Sequence, residues 1–509
     1  MTTRAAFRES TLPPPPQRKQ WVEPIHNTFT QQERGLTTIL LSGLTIAHDN
    51  LVCAAFRASG YHVEVLPVPD NESLRHGKEF GNKGQCNPTY YTVGNLIKFL
   101  KQLENSGCAK KQILNDYLFV TAGACGPCRF GMYVTEYRKA LRDAGFEGFR
   151  VLLLSQAGGV ATASGDGLKL DTKFKLTAFP GLIAADILNV LMYRIRPYEV
   201  NEGETDRIIA ACREDLSETV ANRRSLVRSI LRCRSRLSKI KVDRSQVKPK
   251  VAVIGEFWAT VTEGDGNYHI YRYIEEEGGE VDLQIVTSWL LFLIWEVGWD
   301  TQRRMKLDRD DQGSRKGLSG VNPWKRLALL WVTDKAMRIV FRFFSLLMGL
   351  KGYKLPNIEK LSQKSAAYYD RHARGGESFM EVGKFIENAE KGKADLTITV
   401  KPFGCMPSSG VSDGIQSLVT ERFPEAYFLA IETNGEGAVN AYSRIQMQLF
   451  KVKQKTQKEL EKLLEKANSS KEIYADLCRK NSAVAEPFRN WGKHYASAGL
   501  NVAKKLLRV

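Results

Sequence analysis

The chain has 509 residues and nine cysteines, with 74 Lys and Arg against 56 Asp and Glu for a net charge of +18. That length exceeds what one core supports, so two or three domains are expected. The odd cysteine count, with no apolar signal segment around Arg4, Arg8 and Glu9, argues for a reducing cytoplasm and against a disulfide framework.

Residues 1–36 carry Pro13-Pro14-Pro15-Pro16 and little apolar periodicity, and read as a disordered extension. A first α/β domain is expected over 37–200. It opens with a strand at 37–42, a helix at 50–59 and a strand at 61–66, the pattern of a βαβ unit. Residues 77–88 form a polar, glycine-rich loop holding Cys86, and a helix follows at 90–103. An apolar strand at 116–121 leads into Cys125-Gly126-Pro127-Cys128, a helix runs from Met132 to about Ala144, and 149–154 is the next strand. Residues 155–180 are rich in Gly, Ser and Thr, and 183–193 is helix-like. Strands alternating with helices predict a mostly parallel sheet whose site lies at the strand C-terminal ends.

Residues 201–249 form a basic helical connector with Arg223, Arg224, Arg228, Arg232, Arg234 and Arg236, read as a solvated face before a binding site. A second α/β domain is assembled from 250–287 and 391–450, with strands at 250–255, 280–286, 395–400 and 426–431. The helical insertion 288–390 separates its halves. Within it, 324–350 is long enough to span a bilayer but carries Lys325, Arg326, Asp334, Lys335, Arg338 and Arg342. It is therefore expected to be an amphipathic helix covering a core or subunit interface, with membrane-surface contact the lesser reading. Residues 451–509 read as a helical tail. The whole is two Rossmann-like α/β domains with mostly parallel sheets, a helical insertion and a helical C-terminal tail. The basic excess suits an anionic partner, but there is no C2H2 finger or RNP-type strand, so no nucleic-acid partner is expected.

Cys86, Cys125, Cys128 and Cys405 each sit on a loop entering a helix, close to Pro or Gly. Amide groups at such places favour thiolate, the form that ligates metal or attacks disulfides. Cys53, Cys108, Cys212, Cys233 and Cys478 fall in helix-like segments and read as packing residues. Three readings compete for the first four: an iron–sulfur cluster, structural zinc, and thioredoxin-like dithiol exchange at Cys125 and Cys128. The dithiol reading lacks the preceding Trp, Ala124 standing there, and zinc lacks a second knuckle or histidine pair.

The chain resembles the acyl-CoA dehydratase activase-related proteins of the 2-hydroxyacyl-CoA dehydratase group. The residues that carry the likeness are Gly84-Gln85-Cys86-Asn87-Pro88, Ala124 through Gly131, Gly255-Glu256-Phe257-Trp258 with Gly264-Asp265-Gly266-Asn267-Tyr268, Phe403 through Ser409, and Glu432-Thr433-Asn434-Gly435-Glu436. The resemblance implies a cysteine-ligated cluster, [4Fe–4S] or a double-cubane type, held between Rossmann-like domains. It further implies a separate ATP-hydrolysing activase, a low-potential electron donor such as ferredoxin or flavodoxin, and a homodimer. No P-loop or Asp-Gly phosphate pattern is present, so any ATPase is another chain. The insertion and the basic connector have no counterpart in the group, so the substrate is not carried over.

The metal ligands expected are therefore Cys86, Cys125, Cys128 and Cys405. Arg129, Ser408 and Ser409 are expected as hydrogen-bond donors near the sulfurs. Glu256, Glu263, Asp265, Glu432 and Glu436 are expected at strand ends facing the same cleft, as candidates for proton handling, with helix capping an equal alternative. A non-catalytic scaffold, whose metal only ties two domains together, is the rival function.

Overall fold

The computed structural model describes residues 24–509 apart from 124–127, 156–165, 308–317, 319, 374–375, 377, 411–413 and 492–493. Two four-stranded, all-parallel sheets organise it, within a chain that is 60% helical. In the first sheet, β1 (Thr38–Leu41), β2 (His62–Val65), β3 (Tyr117–Gly123) and β4 (Arg150–Ser155) lie in the order β2-β1-β3-β4. In the second, β5 (Lys250–Gly255), β6 (Glu280–Leu283), β7 (Leu396–Pro402) and β8 (Tyr427–Thr433) lie in the order β6-β5-β7-β8. The register runs through Ile39↔Leu118 and Val120↔Leu152 in the first and Val253↔Ile398 in the second. Central strands of parallel sheets are covered on both faces, and β7 is buried at every position.

The two orders are the same, so each sheet has its topological switch at the equivalent place, between β1 and β3 and between β5 and β7. Crevices outside strand C-termini at such points are where open α/β sheets bind ligands. The Cys125/Cys128 loop follows β3 and Cys405 follows β7. The cysteines thus occupy matching positions in the two halves.

Several boundaries differ from the sequence expectation. The end of the N-terminal extension is anchored at points: Phe29 is fully buried, its carbonyl accepts from Gly167 N at 2.8 Å, and Glu33 pairs with Arg150 at 2.7 Å. A helix, Asn71–Phe80, runs into the stretch expected to be loop, started by a capping box between Asp70 and Ser73. The helix expected at 183–193 begins at Thr172, where the Asp171 carboxylate accepts from Phe174 N at 2.8 Å, and it contains Pro180. The basic connector is two helices, Glu204–Ala221 and Leu226–Leu237. Arg232 and Arg236 of the second fold back onto Asp215 of the first, and with Ser229 they hold that carboxyl well below its ordinary pKa.

The Thr172–Ile195 helix joins the two halves. One apolar cluster runs from Ile39 and Leu118 of the first sheet through Ile183, Ile187 and Leu191 of this helix to Val251 and Ile398 of the second. It is long and apolar enough to cross a membrane, but 72% of its apolar window is buried inside the protein, as befits a core helix. On the same helix, Asp186 carries the polar link between the halves. Its carboxylate lies 3.2 Å from His48 Nε2 and accepts from Val286 N, Thr287 N and Thr287 Oγ1 at 2.9, 2.6 and 2.6 Å. Both Asp186 and His48 are buried. The insertion's helix Pro323–Met348 covers core with Met337, Phe341, Phe344 and Met348, while Trp324, Trp331 and Ile339 stand exposed on its other side.

Candidate metal centre

Cys86 is the N-cap residue of the helix Asn87–Asn105, with Pro88 in its first turn, where a missing N–H costs nothing. Its Sγ lies 3.1 Å from both Thr89 Oγ1 and Tyr133 OH. Burial, then the charges of Cys86 and Glu256, pushes the Tyr133 pKa well above its ordinary value, so this phenol stays protonated beside the sulfur. The loop before Cys86 is pinned from three sides. The buried Glu136 carboxylate accepts from Asn82 N, from Asn82 Nδ2 at 2.8 Å and from Gln85 Nε2 at 3.4 Å. Tyr90 OH accepts from Gln85 N at 3.1 Å, and the Arg129 guanidinium donates to Gly84 O.

Cys405 arrives from the other sheet. Phe403 N donates to Thr433 O at 2.9 Å, fixing the turn after β7 to the end of β8, and Phe403 O accepts from Asn87 N at 3.0 Å. Between them Gly404 adopts φ 76°, and a Cβ placed there would sit 3.2 Å from Cys86 Cα and from Gln85 O. Only glycine combines that backbone with so close an approach. The two loops therefore meet backbone to backbone, and Cys86 and Cys405 are both buried. Cys128 is half-buried and precedes the turn Arg129–Met132, so Arg129 links its loop to that of Cys86. Cys125 lies outside the described residues. Among the described residues no three His, Cys, Asp or Glu side chains form a group able to hold a metal ion. Of the other cysteines, Cys53, Cys212, Cys233 and Cys478 are buried and Cys108 is half-buried; burial pushes the Cys53 thiol up to about 12.

The candidate carboxylates separate by environment. Glu256 stands at the end of β5, its amide donating to Val400 O at 3.0 Å and its carboxylate accepting from Ala259 N at 2.9 Å. Its charge acts on the Tyr133 phenol, raising that group's pKa. Burial pushes Glu256 itself up to about 6. Glu263 and Asp265 instead act as helix caps across the seam between the halves. Glu263 accepts from Ile46 N at 2.7 Å, at the start of the helix Ile46–Ala58, and Asp265 accepts from Asn71 N at 2.9 Å while pairing with His269 at 3.0 Å. Glu432 lies 3.7 Å from the Lys401 ammonium, and Glu436 forms an exposed pair with Lys78 at 2.9 Å. Ser408 does not face a thiol in its hydrogen bonding: it donates to the buried Glu381 at 3.1 Å, which Thr399 also reaches at 3.3 Å. The Ser409 side chain lies outside the description.

A cavity of about 260 Å³ opens at the C-terminal ends of β1 and β2, bounded by Gly43, Leu44, Pro67, Trp258 and Thr262. Asp49 lines it, and burial pushes this carboxyl up to about 7 even though Gly43 N and Leu44 N donate to it at 3.2 and 3.1 Å. Sequence reasoning missed Tyr133, Glu136 and Asp49. Thr89 had a local signal, being three residues after a helix-capping Cys86. Tyr133 had none, because its partner is 47 residues away.

For Glu256 the folded pKa of about 6 exceeds the usual 4.5, so folding favours the protonated acid. The cost is absent below pH 4.5, grows as pH rises to 6 and is complete above it. Glu256→Gln is expected to be about 2 kcal/mol more stable than the parent at pH 8 and no more stable at pH 4, in urea unfolding at the two pH values. An equal difference at both would show that the carboxyl is not held in this way.

Compared with known proteins, the chain matches no protein-family model and no curated protein sequence.

Proposed function

We propose that this chain is a cytoplasmic iron–sulfur redox protein related to the 2-hydroxyacyl-CoA dehydratase group, with Cys86, Cys125, Cys128 and Cys405 as cluster ligands. The observation that supports it is the meeting of the Cys86 and Cys405 loops, one from each half, at Gly404. The donor set fits the group: soft thiolates on three loops, with hydroxyls at 3.1 Å from one sulfur. Bound there, a [4Fe–4S] or double-cubane cluster would supply one-electron transfer at low potential. The chain's own residues bury the Cys86 and Cys405 sulfurs, set the Tyr133 and Thr89 hydroxyls against that of Cys86, and keep at Glu256 a carboxyl pushed up to about 6 by burial. The Asp49 cavity is the space next to Trp258 in which a small substrate would sit. An ATP-hydrolysing activase, a ferredoxin or flavodoxin donor and a second copy of this chain complete the reading; neither nucleic acid nor membrane belongs to it.

Anaerobic purification followed by iron, zinc and acid-labile sulfide analysis tests it. Iron with sulfide and a reducible EPR signal supports the redox reading. Zinc without iron would overturn it in favour of a scaffold. Tyr133→Phe removes a donor to sulfur, so the midpoint potential should move to a more negative value while iron content stays unchanged, with a stability loss of about 1 kcal/mol. An unmoved potential in a correctly loaded variant would remove Tyr133 from the site.

A further inference from the structure

A further cavity lies away from the cysteines. It has a volume of about 480 Å³ and lies at the β6 edge of the second sheet, roofed by the segment that follows residue 486. Phe488 in that roof packs on Gly349, where φ is 95° and a Cβ would lie 2.9 Å from the ring, so the wall is closely fitted. None of the cysteine loops contributes to it.

Its lining is one-sided in charge. Nine Lys and Arg side chains face two acids, Glu280 and Asp282. Part of this excess is already answered: Glu387 pairs with Lys391 at 2.7 Å and Lys393 at 3.0 Å, and Lys250 lies 3.8 Å from Glu280. Arg194, Arg244, Lys354 and Lys384 have no ion pair among the described residues. Arg244 is only 5% exposed, and it is aimed by its own bonds, Nη2 donating to Arg194 O at 2.9 Å and Pro487 O at 3.1 Å. Burial lowers the Lys384 pKa, with Asp282 opposing, as for an ammonium short of counter-charge.

Three N–H donors on this lining also lack acceptors among the described residues: Arg244 Nε, Gln284 Nε2 and Trp491 Nε1, each on a side chain more than nine-tenths buried. A buried unsatisfied donor costs about 1–3 kcal/mol, and a buried unpaired cation more. Donors and cations left over together, around one half-open space, suit an acceptor-rich anion. Guanidinium forks with ammonium groups match phosphate oxygens. The volume suits a drug-sized ligand rather than a single phosphate. Tyr353 and Trp491 also line it, with Arg194 and Arg489 already over their rings at 5.6 and 5.7 Å.

We propose that this cavity binds a small phosphate-bearing polyanion of about the size of a nucleoside diphosphate, at a site separate from the cysteines. The reading does not rest on the cluster and can be tested on the full chain whatever its metal content. Titration calorimetry with ADP, ATP, inorganic triphosphate and citrate is the direct experiment. Saturable one-to-one binding is expected for at least one phosphate compound, with citrate at least about tenfold weaker and a ligand-dependent rise in Tm. A preference for ADP or ATP would assign the aromatic wall to a base; equal binding of triphosphate would assign affinity to the phosphates alone. Lys354→Gln and Arg489→Gln, at exposed rim positions that spare the fold, should together weaken binding about tenfold or more, and Lys384→Met should do so from inside. Absence of saturable binding by all three phosphate compounds at millimolar concentration would overturn the proposal. So would citrate binding as tightly, or rim variants that bind as the parent does.

Discussion

Cys405→Ala is expected to lower iron and acid-labile sulfide per chain by about tenfold or more, although the other three proposed ligands all belong to the first half. The reasoning is geometric. The Cys405 loop is set against Cys86 by the Asn87 N to Phe403 O bond and by the absence of a side chain at Gly404. A cluster built there would draw a ligand from each half, and removing the second sheet's thiol would open it to solvent. Cys108→Ala, at a half-buried position in the turn after the helix Asn87–Asn105, should leave iron content unchanged and serves as the control. If Cys405→Ala protein kept full iron and sulfide, the site would have to be confined to the first half. The Cys125/Cys128 loop would then return as the whole of the chemistry.

The largest loss of stability is expected from Asp186→Ala, about 4 kcal/mol in denaturant unfolding. Removing this carboxylate strands His48 Nε2 and three donors at the start of the helix Val286–Arg304 in a place water does not reach. Breaking a buried pair from one side costs about 3–5 kcal/mol, and each orphaned donor adds to the cost. Asp186→Asn keeps an acceptor and should lose about half as much. A loss below about 1 kcal/mol for the Ala variant would mean that the halves are joined by apolar packing alone.

The two-sheet α/β plan was legible because buried parallel strands are short runs rich in β-branched and apolar residues, as in 250–255, which ends in Gly255, and 395–400. The helix Thr172–Ile195 was half hidden. Its first turns are polar, its Pro180 reads as a stop, and only the Asp171 cap marks the true start. For the site, chain position revealed which thiols stand at loop-to-helix junctions, since that depends on neighbours in sequence. It could not sort the carboxylates. Glu256 and Glu263 are seven residues apart and look alike, yet one caps the short helix that follows it and the other caps a helix of the opposite half. Ser408 beside a cysteine likewise looked like a donor to sulfur, and the buried Glu381, which takes its hydrogen bond, is 27 residues upstream. Those assignments depend on how the halves dock, which no local pattern records.

The seam at Gly404 also sets a timetable for biosynthesis. About 280 residues separate the Cys125/Cys128 loop from Cys405. At ordinary ribosomal speeds of about 5–20 residues per second, the first thiols emerge roughly 15–60 s before the last. During that interval the surface that Gly404 presents to Cys86 does not yet exist. A cluster of the kind proposed would therefore be loaded at this seam late, after translation, and until then a nascent chain would expose Cys86 and Cys128 to whatever oxidant the compartment holds.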